Sequence, residues 1–441
     1  MLSLINSINA AVWGAPMLVL LAGTHIFLTV RTRGVQRKLG LALRLSVTRE
    51  DGANGDMSQF GALATALAAT VGTGNIIGVA TAIRLGGYGA VLWCWLTGVL
   101  GMATKYGEGL LAVRYRRVTS DGTILGGPML VLERGLNMRW LGCLFALFAM
   151  LCSFGIGSSV QANALTSALN GAYGAPTWVT ALVTAALAAV VILGGVRSIE
   201  RVCGVLVPFM AGLYALSCAV ILVINHSFLL QSLVLMCKTA FSPSAIGGGA
   251  VGGGILIAMR YGVARGLFSN ESGLGSAPIA ASAARTSEPV RQALVSMTGT
   301  FWDTVVICAM TGLTLVSSML RYPEIAGADA AAMARLAFER ALPVGGTLLT
   351  VSLAAFVFST IIGWSYYGER CAEHLFGKRA IVPYKVLYIA TAFLGGVASL
   401  DLVWAMSDTL NFLMALPNLI SLLLLSGVIA RETRRYFGKM R

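Results

Sequence analysis

Residues 69–78 read ATVGTGNIIG and residues 265–278 read RGLFSNESGLGSAP; both interrupt long apolar runs with glycine, hydroxyl and amide residues. Backbone facing lipid cannot leave helical geometry, because each orphaned peptide group costs several kcal/mol in hydrocarbon. Such breaks survive only where protein or a water-filled cavity supplies partners. A half-helix end carries unpaired N–H groups that hold a carboxylate, or unpaired C=O groups that hold a cation. Thr70, Thr73, Asn75, Ser269 and Asn270 add side-chain oxygens and amides nearby, the ligands a hard monovalent cation prefers. The plainer reading, glycine as a small residue at a helix contact, accounts better for one such segment than for two at matching places.

The surrounding sequence supplies the solvent. Of 441 residues 57% are hydrophobic and only 11% charged, with a mean hydropathy of +0.79. A water-soluble domain carries about 25% charged residues, so this chain is an all-α integral membrane protein. About eleven spans of roughly 20 apolar residues are predicted, near 9–30, 59–83, 88–112, 140–168, 177–194, 203–224, 245–268, 295–318, 346–369, 382–400 and 403–430. The first is followed, not preceded, by charge, which argues against a cleaved leader. The breaks fall in the second and seventh spans, five apart. Five is odd, so two five-helix repeats, about 59–224 and 245–430, would stand inverted after one extra helix at 9–30. Broken first helices in such repeats point to a site at mid-membrane.

The formal charge of +14 is a matter of topology. With residues 31–58 inside, about 24 basic residues fall in inner loops and the tail 431–441, against about five outside. This places the N-terminus outside and the C-terminus in the cytoplasm, and excludes a nucleic-acid groove as the reason for the charge. The outer loop 319–345 contains ADAAAMARLAFERAL, whose spacing predicts a short amphipathic helix. The eight cysteines form no CxxC, the three histidines are scattered, and no GxxxxGK[ST] loop is present. These patterns argue against a disulfide framework, a zinc site and an ATP-driven pump.

Several runs together resemble the alanine or glycine:cation symporter family. They are NGDMSQFGALATALAATVGTGNIIGVATAI (54–83), WLTGVLGMATKYGE (95–108), GGPM (126–129), ARGLFSNESGLGSAP (264–278), GTFWDTVVIC (299–308) and FSTIIGWSYYGER (358–370). The resemblance implies a leucine-transporter-type fold and uptake of alanine or glycine driven by sodium or protons, with no cofactor. It places the substrate against Thr73, Gly74, Asn75, Ser269 and Asn270, with Gln161, Phe268 and Trp364 as further pocket residues. It places sodium among carbonyls around Ala69 and Gly72, closed by Ser359 and Thr360. The chain departs from the family at GGYGA (86–90), at Ser272 in FSNESG, and at Leu130 and Val131 after GGPM.

Ionisable residues inside spans are functional by default. Asp303 is expected to pair with Arg260 or Arg265, or to lie at an ion site. Lys105 and Glu108, spaced i,i+3, read as a local ion pair. Glu271 beside the second break reads as a cap or gate contact, with Arg265 as its partner in an inner gate. Titration of Asp303 or Glu271 would make the coupling ion a proton. A non-transporting amino-acid sensor is the rival from another class. No clustered nucleophile, histidine and acid, or metal-ligand set, supports an enzyme.

Overall fold

Lipid offers the backbone no hydrogen-bond partners, so each apolar run closes its own bonds as helix. The structure, a computed structural model, describes residue 9 and residues 14–48, 50, 52–242, 254–398 and 401–439. The predicted spans 9–30 and 245–268 and the basic residue Arg49 therefore fall partly or wholly outside the described residues. The first part of the chain forms α1 (Ala15–Arg31), α2 (Leu39–Ser46), α3 (Gln59–Thr70), α4 (Val79–Gly86) and α5 (Gly89–Arg114). A small antiparallel hairpin follows, β1 (Arg117–Val118) with β2 (Ile124–Leu125). Then come α6 (Arg139–Cys152), α7 (Val160–Tyr173), α8 (Thr177–Leu193), α9 (Gly195–Ile224) and α10 (His226–Ala240). The second part holds α11 (Ile255–Asn270), α12 (Ala277–Ser282), α13 (Pro289–Thr300), α14 (Ala309–Arg321) and α15 (Ala330–Ala341). It ends with α16 (Gly345–Phe376), α17 (Ile381–Val397), α18 (Asp401–Leu424) and α19 (Ser426–Lys439).

Among the described residues, five helices are long and apolar enough to cross a membrane, or up to eight when each bent pair counts as one span. α5 and α11 fall on predicted spans without meeting that test. α11 is described over 16 residues only, and in α5 Lys105 and Glu108 lower the apolar average. The predicted last span, 403–430, is cut short: α18 ends at Leu424, and α19 departs at 58°. Arg431, Glu432, Arg434 and Arg435 cannot continue into hydrocarbon, so the expected tail is a separate helix. α15 matches the predicted outer amphipathic helix, with Met333, Ala334, Ala337 and Phe338 on its buried face.

The spans are not uniform rods. Wide π turns occupy Gly74–Gly78, Ser153–Ser159 and Phe301–Cys308. Such bulges free backbone groups and often mark functional sites. The first break bends Gln59–Thr70 against Gly74–Gly86 by 54°, through an extended Val71 (φ −77°, ψ 96°). The second begins at Glu271 in the left-handed region (φ +55°) and passes through Gly273 (φ +95°) and Gly275 (φ +85°), conformations that glycine adopts without steric cost.

α11 and α13 pack on α5, and α16 packs against α3, α6 and α9. At the α16–α3 crossing a Cβ added to Gly363 would stand 2.7 Å from the Ala69 amide nitrogen. Gly363→Ala is therefore expected to destabilise the protein by about 1–3 kcal/mol through overpacking. A lower unfolding midpoint of the purified protein in detergent checks this; an unchanged midpoint would contradict the crossing.

Candidate functional site

The first break is held open by one side chain. Asn75 accepts the Gly72 N–H through Oδ1 at 2.8 Å, closing a local turn where the helix has stopped. Its Nδ2 donates to Asp303, at 2.7 Å to Oδ1 and 3.2 Å to the backbone oxygen. Ser269, in the last turn before the second break, donates to Asp303 Oδ2 at 2.9 Å, and Thr304 to the same oxygen at 2.6 Å. The Asp303 carboxylate thus joins both broken helices through neutral donors, and the expected pairing with Arg260 or Arg265 is not what the structure shows. Bonds to a charged acceptor are worth about 1.5–3 kcal/mol each when buried.

A second carboxylate stabilises the other break. Glu108 Oε1 accepts the N–H groups of Gly273 and Gly275 at 3.0 and 3.1 Å and Asn418 Nδ2 at 2.7 Å. Asn418 also donates to the Gly273 carbonyl at 2.9 Å. The predicted Lys105–Glu108 ion pair is therefore corrected. The Glu108 carboxylate is drawn to the unwound backbone, whose left-handed glycines turn two N–H groups the same way. Lys105 Nζ is buried and has no hydrogen-bond partner among the described residues. The Arg265–Glu271 gate is corrected as well. Glu271 accepts from Ser276, while Arg265 lies over the ring of Phe268, 5.8 Å from its centroid.

Between the breaks lies a narrow cavity of about 10 Å3, room for about one water molecule. Of the predicted residues, Ala69, Gly72, Thr73, Gly74, Gln161, Phe268, Glu271, Thr360 and Trp364 line it, with Thr70 and Ile156. Thr73 Oγ1 and Gln161 Oε1 are buried there without hydrogen-bond partners among the described residues. Gln161 Nε2 is anchored on the Ile156 carbonyl at 3.1 Å, which fixes the direction of the free oxygen. Asn75 and Ser269 are turned away, toward Asp303. Asn270 accepts the Ser272 N–H, and its unpaired Nδ2 belongs to a neighbouring small cavity lined by Thr70 and Lys105.

Beside this cavity two hydroxyls each face a backbone carbonyl. Ser359 Oγ lies 3.2 Å from the Ala68 carbonyl oxygen, and Thr360 Oγ1 lies 3.5 Å from that of Val71. The carbonyls that face these hydroxyls are one residue earlier than the predicted Ala69 and Gly72. They are three residues apart at the end of a helix, where carbonyls lose their intrahelical partners.

On the side of the basic loops two short segments are held together. Asp56 and Met57 donate their N–H groups to the Ala283 carbonyl, and Arg285 donates to the Met57 carbonyl at 2.7 Å. The Arg116 guanidinium binds four carbonyls, those of Asn54, Ser282, Ala284 and Thr286, at 2.7–3.1 Å. A Cβ on Gly55 would stand 2.5 Å from the Arg285 amide nitrogen, so the two strands touch backbone to backbone. Glu50 ties in Ser287, Thr286 and Arg291. Burial works to raise the Glu50 carboxyl, but the Ser287 and Thr286 bonds and the Arg291 charge prevail and hold it below its ordinary value. Its contribution is therefore full above that ordinary value and fades only as pH falls through the lowered one. Sequence reasoning missed Arg116, Asn418, Ala68 and Val71; all but Asn418 lie in or beside segments already singled out.

The profile described as the sodium:alanine symporter family matches residues 1–441. An uncharacterised transporter of Haemophilus influenzae is 49% identical over 100% of this chain and 97% of its own length. The sodium/alanine symporter AgcS of Methanococcus maripaludis is 48% identical over 98% of this chain and 97% of its own. Among solved structures, MhsT in complex with L-phenylalanine aligns with a TM-score of 0.60 at 15% identity, over 85% of this chain and 90% of that one. A sodium-coupled sialic acid symporter aligns at 0.58 and 13% identity, over 96% and 85%. At such identities the likeness establishes the fold alone, a leucine-transporter-type helical bundle.

The Asp303 node generates a graded expectation. Asp303→Ala removes the acceptor of both breaks and is expected to cost roughly 2–4 kcal/mol, while Asp303→Asn keeps one acceptor oxygen and costs less. Thermal unfolding in detergent should rank wild type above Asp303→Asn above Asp303→Ala. Equal midpoints for all three would remove Asp303 from its linking role.

Proposed function

The chain belongs to the sodium:alanine symporter family, and from that premise we propose that it imports alanine or glycine together with sodium by alternating access. The family is one of transporters, so the chain is not an enzyme, and its apolar helices make it a multi-pass membrane protein. We place it in the cell's inner membrane with eleven crossings, the N-terminus outside and the C-terminus in the cytoplasm. The extra helix at 9–30 precedes inverted repeats about 59–224 and 245–430.

One observation carries the reading: both breaks border a single cavity holding unpaired Thr73 Oγ1 and Gln161 Oε1, which is collapsed here to the size of one water and widens to admit the solute. A small zwitterion answers both needs. Its carboxylate goes to the start of the helical run at Gly74, where N–H groups and the helix dipole favour an anion. Its ammonium goes to Gln161 Oε1 and Thr73 Oγ1. Phe268 and Trp364 close round the side chain and restrict it to about a methyl group. Each extra methylene is discriminated by about 1–3 kcal/mol, so glycine, alanine and serine form a graded series.

Sodium takes the four oxygens of Ala68, Val71, Ser359 and Thr360. The same short segment ends the helix for the ion and restarts it for the amino acid, which couples the two. Asp303, Asn75 and Ser269 then act as the frame that holds the breaks together. One cation moving down about 100 mV supplies roughly 2.3 kcal/mol, near 50-fold accumulation, so one ion suffices energetically. A proton-coupled reading is favoured by one feature, the buried Asp303 carboxylate with only neutral partners; Glu271 is the alternative carrier. Sodium replacement at constant pH separates the two. The seal around Arg116 is the closed inner gate, replacing the Arg265–Glu271 contact in that role.

Binding of labelled L-alanine to the purified protein tests the site. Thr360→Val and Ser359→Ala should each raise the sodium concentration for half-maximal binding about tenfold, near 1.4 kcal/mol. Gln161→Leu should lose alanine binding at every sodium concentration; sodium-independent binding in the wild type would sink the coupling. For the gate, Ser296, which lines the small cavity beside Thr70 and Asn270, serves as a probe: Arg116→Gln combined with Ser296→Cys should label severalfold faster with an impermeant maleimide from the basic-loop side than Ser296→Cys alone. Equal rates would mean that Arg116 does not hold the path shut.

A further inference from the structure

A separate groove runs along the helix that carries the first break. α2, α3, α9 and the turn Phe301–Cys308 enclose an apolar groove of about 480 Å3, walled by Leu43, Phe60, Leu67, Ala211, Gly212 and Trp302. Along α3 it climbs from Phe60 to Val71, about 16 Å at 1.5 Å per residue. That is one leaflet's share of a hydrocarbon core about 30 Å thick. At its open end the groove shares Ser46, Val47 and Phe60 with a polar cavity of about 620 Å3, which adds Glu50, Ser58, Glu200 and Arg285.

From this continuity of an acyl-length groove with a mouth bearing both charges, we infer a binding site for one molecule of phosphatidylethanolamine. One acyl chain fills the groove, the phosphate meets Arg285, and the ammonium meets Glu200. Arg285 is exposed and commits its Nε–H to the Gly55 carbonyl at 3.2 Å, which leaves the outer guanidinium edge to the phosphate. Glu200 Oε1 takes the N–H and hydroxyl of Ser58, both at 2.8 Å, and the residue lines the polar cavity. A purely anionic headgroup brings no cation to Glu50 and Glu200. A choline headgroup brings a cation without an N–H to donate. Ser58 caps α3 by accepting the Gly61 N–H, so the lipid bears directly on the inner end of the first broken helix.

Native mass spectrometry of the purified full chain, offered equal phosphatidylethanolamine and phosphatidylcholine of matched acyl chains, tests the site whatever solute is carried. The wild type should retain one phosphatidylethanolamine at least about tenfold over phosphatidylcholine. Gly212→Phe starts its new side chain in open space, with nothing within 4 Å of the Cβ position, and should lose the adduct by filling the groove. Arg285→Gln should weaken retention without touching the groove, and serves should Gly212→Phe fail to fold. Equal retention of the two lipids, or both variants holding phosphatidylethanolamine like the wild type, overturns the proposal.

Discussion

One carboxylate, Asp303, reaches both interrupted helices, and the polar centre of this protein is organised around it. Its oxygens receive Asn75 from the first break and Ser269 from the second, and Asn75 in turn holds the Gly72 amide. In hydrocarbon an unwound backbone is too costly to persist without such partners. The two breaks are affordable because each has a buried acid assigned to it: Asp303 through side chains, and Glu108 through the amides of Gly273 and Gly275. With those backbones held by other residues, the cavity between them keeps atoms on Thr73 and Gln161 that are unpaired among the described residues.

This division of labour separates framework from site. The polar residues nearest the breaks in sequence, Asn75 and Ser269, face the frame, whereas Gln161 enters the cavity from a different helix. The seal proposed around Arg116 has the same logic. Arg116 satisfies four carbonyls of two short extended segments, so those segments come together without a sheet. Opening it requires breaking a compact set of bonds outside the apolar core. That suits a gate better than a buried ion pair, whose separation leaves uncompensated charge in a low dielectric.

Much of this was legible in the chain. The helices follow from apolar length, and the breaks from glycine and hydroxyl residues that a lipid-facing helix does not tolerate. Eight of the residues named by resemblance, and Glu271 besides, border one cavity. What was not legible depended on partners distant in sequence. Glu108 looked like half of an i,i+3 pair because Asn418, 310 residues away, carries no signal of its own. The carbonyls facing Ser359 and Thr360 are those of Ala68 and Val71, next to the expected Ala69 and Gly72, since helix phase at a break is set by packing. Arg116 read as one more basic loop residue, because binding to carbonyls leaves no acidic partner in the sequence. α19 was absorbed into the last span, as an apolar run does not reveal where it bends.

The central claim is that the cavity between the breaks carries a small amino acid uphill at the expense of a sodium gradient. Uptake of labelled L-alanine into proteoliposomes of the purified protein, at constant pH with and without an inward sodium gradient, tests it most directly. The account predicts accumulation above equilibrium only when sodium is directed inward. Accumulation driven by an inward proton gradient without sodium would move the coupling to Asp303 or Glu271. No movement of alanine or glycine under either gradient would contradict the account and leave the fold with a different cargo.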